Sequence, residues 1–281
     1  MRTSWRKQLS RNLRGKVRRR ILSNHGAGIV ADALNGMLVV DPGDFGVARA
    51  LLDHGSYDWE AIQWLGQVLG AQSQLVFVGA HIGALLIPIA RKCGAAGVAA
   101  LEPSPRNHRL LEMNIALNGL KGVSVQRIAA GDCEGTAAFT ENPTNSGNSR
   151  VSVHGSVQVR VSKLDTVLAD CTNVDLMVMD TEGFEVRAMR GGMDILSRTK
   201  YFYVEYAPEQ LEEQGHAAQE FVDLVARCFE SMYIPGPTVQ FFSDRKFARY
   251  LSELPAKRGR LLNLLFCNHA APRPELMRFV Q

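Results

Sequence analysis

The chain has 281 residues, 46% of them hydrophobic, and a net charge of +4, enough for one large domain with a substantial core. Nine basic residues (Arg2, Arg6, Lys7, Arg11, Arg14, Lys16, Arg18, Arg19, Arg20) and no acid fall in the first twenty positions, so the remaining 261 carry −5. Five scattered cysteines without a C-x-x-C pair argue against a disulfide framework and a zinc site and point to a reducing cytoplasm; no apolar run of about 20 residues is present to span a membrane.

Residues 1–22 place Trp5, Leu9, Leu13, Val17 and Ile21 at every fourth position, an apolar stripe on a basic helix. Such an arm suits peripheral contact with an anionic membrane surface, nucleic acid, an Arg-rich transit peptide, or packing on its own domain or a second subunit. It lacks the apolar core of a secretory signal. Residues 23–70 read as a lead-in, with a strand over 36–41 closed by Pro42 and helices over 48–52 and 59–69.

The third segment, 71–281, opens on residues 75–102. A short apolar strand runs into the turn Gly79-Ala80-His81-Ile82-Gly83, and Ile82, Leu85, Leu86, Ile89, Ala90 and Cys93 then line one helix face. Pro88, one turn inside that helix, predicts a kink. A second strand, Gly97–Leu101, ends in Glu102. Ser104 and Pro105 suit an N-cap and first helical position, and Asn118-Gly119 ends the helix as a left-handed cap. A third strand is expected over 123–128, before Asp132.

Short strands over 136–140 and 157–161 flank a polar loop, 141–150, whose composition suits a lid over a site. A fourth buried strand, Val174–Met179, ends in Asp180, with Glu182, Gly183 and a helix over 184–196 beyond it. A fifth, 201–204, ends in Glu205. A helix over 208–229 and strands over 238–242 and 261–267 complete the pattern. Strands alternating with helices predict a three-layer Rossmann-like α/β fold, a mostly parallel sheet with helices on both faces. In such sheets ligands bind beyond the carboxyl ends of the strands. Gly79, Ala80, His81, Gly83, Glu102, Asp132, Asp180 and Glu205 are therefore expected along one rim.

A dinucleotide site calls for G-x-G-x-x-G, whereas this turn is G-x-x-x-G and four acids share the rim. A cationic, phosphate-free nucleoside fits better. S-adenosylmethionine is one: Glu102 suits its ribose diol, Asp132 its adenine amino group, and the other carboxylates its sulfonium and ammonium.

In order and spacing, Val78-Gly-Ala-His-Ile-Gly83, Leu101-Glu-Pro-Ser-Pro105, Glu112-Met-Asn-Ile-Ala-Leu-Asn-Gly119, Leu164-Asp165, Asp180-Thr-Glu-Gly-Phe-Glu185 and Arg190-Gly-Gly192 resemble the blocks of the FkbM family of class I S-adenosylmethionine-dependent methyltransferases. The resemblance covers residues 57–206. It implies a seven-stranded methyltransferase sheet, S-adenosylmethionine as donor, and O-methylation of a sugar, glycan or secondary-metabolite hydroxyl. Phe77 stands where the family has an acid, His81 where it has asparagine and Val178 where a lysine is frequent.

Methyl transfer to a hydroxyl needs donor and acceptor positioned and a proton removed. Asp180, His81 and Glu205 are the candidate catalytic residues. Gly79, Ala80, His81, Gly83, Glu102, Asp132 and Asp180 are the candidate cofactor contacts. The His81 ring has a structural alternative, replacing the asparagine's hydrogen bonds. Glu185 reads as a helix-start residue. Asp180, Glu182 and Glu205 could serve as base, as acceptors for substrate hydroxyls or as partial ligands of a hard divalent metal; their spacing does not demand a metal, and none is expected. A binding protein on a degenerate methyltransferase fold and an RNA methyltransferase using the basic arm stay open as alternatives. Nucleic acid is the less favoured partner, because Asp180-Thr-Glu-Gly lacks the Asn/Asp-Pro-Pro-Tyr/Phe-like turn of base N-methylation.

Overall fold

The computed structural model describes residues 28–95, 97–254, 259–268 and 274–278; the arm expected over 1–22 lies outside them. Strands β1 (Ile29–Ala33) and β2 (Gly36–Val40) form an antiparallel hairpin, followed by helices α1 (Val47–His54) and α2 (Trp59–Leu65). Patterning predicts β2 but not β1, in which only Ala31 is buried. Next come β3 (Gln74–Val78), α3 (Leu86–Cys93), β4 (Gly97–Leu101), α4 (Pro105–Leu117) and β5 (Val123–Gln126). Strands β6 (Ile128–Ala130), β7 (Gly135–Thr140), β8 (Arg150–Val151) and β9 (Val157–Ser162) form a separate four-stranded sheet. After α5 (Leu164–Val167) come β10 (Val174–Met179), α6 (Glu185–Arg190), α7 (Met193–Ser197), β11 (Thr199–Tyr206), α8 (Pro208–Glu213) and α9 (Ala218–Cys228). The chain then adds β12 (Ser231–Ile234), β13 (Gln240–Phe242), α10 (Lys246–Ser252) and β14 (Leu262–Cys267).

The main sheet has the order β13-β12-β14-β11-β10-β3-β4-β5. Strands β5, β4, β3, β10 and β11 are mutually parallel; β14 pairs antiparallel with β11 and with β12, and β13 antiparallel with β12. Eight strands replace the seven expected. The extra one is β12, whose four residues are all buried and too few to alternate. Connections leave β3 toward β5 on one side and reach β10 and β11 on the other, so the order reverses between β3 and β10. A ligand crevice opens at such a switch point.

Period-two alternation sorts the sheet's side chains into two cores. Leu75, Phe77, Leu176 and Val178 face a layer that includes Leu51, Trp64, Ile87, Ile89 and Leu111. Val76, Val78, Met177 and Met179 face the opposite layer with Val186, Leu196, Phe221 and Val225. There Phe202 stacks on Phe229 at 5.5 Å and on Phe266 at 6.2 Å. Each such fully buried ring stabilises the fold by about 1.5–3 kcal/mol. The lead-in shares the first core rather than standing apart, through Leu38, Val40, Leu51 and Trp64.

Asn114 and Asn118 do more than cap α4. Asn114 accepts from the Val39 amide (2.6 Å) and donates to the carbonyls of Val39 (3.2 Å) and Ile82 (2.9 Å). Asn118 pairs likewise with both backbone groups of Met37. The two amides act as a short strand edge that pins the hairpin to α4. Asn114 is fully buried, so Asn114→Ala is expected to cost about 2–4 kcal/mol by stranding these partners. A urea denaturation midpoint close to wild type would show that the clamp carries no stability.

Three expected helices differ in detail. Helix α3 starts at Leu86 rather than Ile82, which makes Pro88 its third residue. The missing N–H is then one of the four that have no helical partner, and the predicted kink loses its cause. The helix expected over 184–196 breaks at Gly191-Gly192 into α6 and α7. The one expected over 208–229 breaks near Gly215, whose φ of +80° ends α8. The third strand also divides: β5 stays in the main sheet, while β6 pairs with β9.

Candidate functional site

At the switch point a cleft of about 1130 Å³, counted out to solvent, lies beyond the carboxyl ends of β3, β4, β10 and β11. Gly79, Ala80, His81, Glu102, Asp180 and Glu205 all line it. Gly83 and Asp132 do not. Gly83 takes φ +87° within the turn, packed against Leu111 and Ile87. Asp132 follows β6 in the smaller sheet and lies 3.8 Å from the Arg187 guanidinium.

The turn after β3 has its amides committed. Gly79 and Ala80 both donate to the Leu101 carbonyl at 2.9 Å, His81 donates to Glu102 Oε2 at 2.8 Å, and Gly83 donates to Ala80. Pyrophosphate recognition needs free amides at such a turn, and these four are engaged inward. The expectation against a dinucleotide thus gains a structural reason.

Glu102, 4% exposed, also accepts from the Ser104 amide at 3.0 Å. Burial pushes its pKa up to about 7, against the lowering effect of the Ser104 and His81 amides and the Asn107 side chain. Ser104 caps α4 as expected, through the Asn107 amide (3.2 Å), and also bonds Glu141.

His81 adopts a left-handed backbone, φ +51°. Its Nε2 lies 2.7 Å from Ser146 Oγ, and that hydroxyl donates to Asp44 Oδ2 at 2.8 Å. With the serine proton spent on a carboxylate, Oγ accepts from Nε2–H, which assigns the neutral tautomer with Nδ1 as acceptor. Burial lowers the imidazole pKa to about 4, only partly opposed by Asp44, so the ring is neutral at pH 7. Asp44 is itself anchored by the amides of Gly46, Ala48 and Ser146. The polar loop over 141–150 is thereby tied across the cleft from the lead-in, with Ser146, Gly147 and Ser149 on its wall.

The opposite end is acidic. Asp58, Asp180, Glu182 and Glu205 line it together with Tyr57 and Tyr203. Asp180 is open to the cleft yet surrounded by protein; burial first, then Glu205, Glu182, Glu185 and Asp58, raise its pKa well above the ordinary carboxylate value. Glu205 is pushed up to about 8 by burial, Glu182, Glu185 and Asp58. Glu182 is pushed up to about 7 by burial, although it accepts from Gln210 Nε2 at 2.9 Å. Glu185 has the structural role expected of it, accepting from the Thr181 amide and hydroxyl and the Gly183 amide at the start of α6. Five carboxylates and no lysine or arginine line the described cleft.

Asp44, Tyr57, Asp58, Ser146 and Tyr203 are site residues that no motif marks. Tyr57-Asp58 precedes α2 and Asp44 precedes α1, with spacing no different from that of ordinary cap residues. Only for Ser146 was there a signal, the composition of its loop.

The profile of the methyltransferase FkbM domain matches residues 78–232. Solved structures similar to this one include a precorrin-6y C5,15-methyltransferase from Geobacter metallireducens, with 9% identity, 75% of this chain and 87% of that one covered, and a TM-score of 0.41. TYW2 from M. jannaschii in complex with AdoMet has 13% identity, 82% and 80% coverage and a TM-score of 0.42. A 16S rRNA N2 G1207 methyltransferase from T. thermophilus, in complex with AdoMet and guanosine, has 14% identity, 86% and 50% coverage and a TM-score of 0.46. At these identities the likeness is one of fold alone. No curated protein matches the sequence.

Proposed function

The chain belongs to the methyltransferase FkbM family, and on that premise we propose that it methylates a hydroxyl of a small-molecule or glycan acceptor with S-adenosylmethionine as donor. The single observation that carries the donor reading is Glu102: a buried carboxylate at the end of β4, fixed by two backbone amides and lining the cleft. A ribose diol offers two donors to such a group. The inward-turned amides of the adjacent turn suit a nucleoside without phosphates.

The donor supplies a methyl carbon already activated by its sulfonium, so the protein's work is placement and proton removal. Asp180 and Glu205 face the acceptor end, and one of them takes the hydroxyl proton as the carbon–oxygen bond forms. Their raised pKa values match this task better than the neutral His81 ring, whose pKa near 4 makes it a weak base. His81 serves instead to hold Ser146 and the loop over the reacting groups. The acidic lining disfavours phosphorylated acceptors, RNA among them.

We propose a cytoplasmic location, a reading that the scattered, unpaired cysteines support. No helix of the described residues is long and apolar enough to cross a membrane. Peripheral membrane contact through residues 1–22 remains a separate proposal, tested by vesicle sedimentation with and without that segment.

Calorimetry with S-adenosylhomocysteine, followed by release of that product from labelled donor across a panel of hydroxylated acceptors, tests the function. Binding with acceptor-dependent turnover is expected. Failure of the wild-type protein to bind removes the donor reading, and binding with no turnover on any hydroxyl acceptor favours a binding protein on the same fold.

A further inference from the structure

We propose that Asp180, Glu182 and Glu205 form a binding site for a hard divalent cation at the acceptor end of the cleft. One carboxylate oxygen from each lies within 4.8 Å of those of the other two. Oxygens that share an ion at about 2.1–2.5 Å are separated by at most roughly 4–5 Å, so small side-chain adjustments bring all three onto one centre. The backbone arranges this. β10 and β11 run parallel with Met179 opposite Val204, which sets Asp180 beside Glu205 one step further on. Glu182 returns from the next turn with φ +55°.

The carboxylates are also free to bind. Neither Asp180 nor Glu205 accepts a side-chain hydrogen bond from any described residue, and Glu182 has one partner, Gln210, on Oε2. Glu182 also feels Arg150 from outside the lining; no lysine or arginine of the described lining lies against Asp180 or Glu205.

An independent observation points to a ligand in the same space. Tyr203 is 5% exposed and lies two residues before Glu205, on the same face of β11. It lines the cleft and interacts electrostatically with Asp58, Asp180 and Glu205. Yet its hydroxyl makes no hydrogen bond to a described residue. That hydroxyl opens on the cleft from an otherwise buried side chain, so its partner has to come from what occupies the cleft. A water or acceptor oxygen in the shell of a bound ion would supply that partner.

All three ligands are carboxylates, with no thiolate and no imidazole among them. That selects magnesium, manganese or calcium over softer ions. Three carboxylates against a +2 ion leave a net −1 that favours a second, neutral or cationic ligand such as an acceptor hydroxyl. The ion's binding does not rest on the proposed function; its use in methyl transfer does, and because an ion would hold Asp180 and Glu205 ionised as ligands, the base role given to them above belongs to the ion-free site.

The test uses full-length protein freed of metal by a chelator and titrated with Mn²⁺ near pH 7.5, with free Mn²⁺ followed by electron paramagnetic resonance. One ion per chain is expected, displaced by excess Mg²⁺ or Ca²⁺ and retained when S-adenosylhomocysteine saturates the donor site. Glu205→Gln and, separately, Glu182→Gln are expected to weaken Mn²⁺ binding at least about tenfold while circular dichroism shows an intact fold. No bound Mn²⁺ at about 1 mM, equal binding by both variants, or displacement by S-adenosylhomocysteine would each overturn the site. S-adenosylhomocysteine binding without Mn²⁺ binding would sink the cation site and leave the methyltransferase reading standing. Mn²⁺ binding without S-adenosylhomocysteine binding would do the reverse.

Discussion

Gly79→Ala is expected to abolish measurable S-adenosylhomocysteine binding and to cost about 3–5 kcal/mol of stability. Gly79 sits at φ +82°, where a side chain is strained, and a Cβ built there overlaps the carbonyl oxygen of Asp180. That oxygen is backbone and has no rotamer to escape into. It is also held in place, because the Asp180 amide donates to Val78 at 3.0 Å and β3 is in register with β10. Relief would require the two strands at the switch point to part, which moves Asp180, Glu102 and the turn together. Gly119→Ala is the matched control. Its φ is +64° with no atom within 4 Å of the added carbon, so only the left-handed strain of about 1–2 kcal/mol applies. Denaturant unfolding and calorimetry on the pair separate strain from overlap. Near-wild-type binding by Gly79→Ala would show that the turn is no fixed wall of the site.

Glu102→Gln is expected to weaken S-adenosylhomocysteine binding by about 2–4 kcal/mol, some thirty- to thousand-fold, through two charge-assisted hydrogen bonds to the ribose. Glutamine preserves the shape but leaves one acceptor oxygen for the two amides of His81 and Ser104 as well as the ligand. The pH dependence has a defined sign. The carboxylate is the accepting form and its pKa is about 7, so wild-type affinity should strengthen as pH rises through 7 and weaken below it. Each pH unit below 7 costs up to about tenfold, while the variant should show no such step. Stability of the ligand-free protein runs the other way. The folded state holds this proton up to about pH 7 and the unfolded chain releases it near 4.5, so the Glu102 contribution declines between those values. A flat affinity profile for the wild type would remove Glu102 from the donor site.

Much of the fold was legible because its signals are local. The strands Gly97–Leu101 and Val174–Met179 were read to the residue from short apolar runs bounded by turns. Ser104 announced its cap by chemistry that needs only its own neighbours. Elements that carry no local contrast were not legible: β1 is mostly outside the core, and β12 is buried throughout. Pro88 misled for a related reason. A proline disrupts a helix interior but is harmless in the first turn, and the helix start was set by the wide turn before it rather than by its apolar stripe.

That Glu102, Asp180 and Glu205 share one edge follows from the order of strands and helices along the chain, since parallel strands of one sheet release their carboxyl ends on the same side. The sequence also carried enough ordered blocks to identify the family. Tertiary structure alone decided which further groups meet them. Asp132 belongs to the same run of residues as the third strand, yet after Gln126 the chain leaves the main sheet and pairs with β9, so that carboxylate turns to Arg187 rather than to the cleft. Asp44 reaches His81 through a serine 102 positions further along the chain. Tyr57 and Asp58 arrive beside Asp180 from the lead-in. Contacts across such separations depend on where packed layers happen to meet, and that leaves no periodicity or spacing for a linear reading to find.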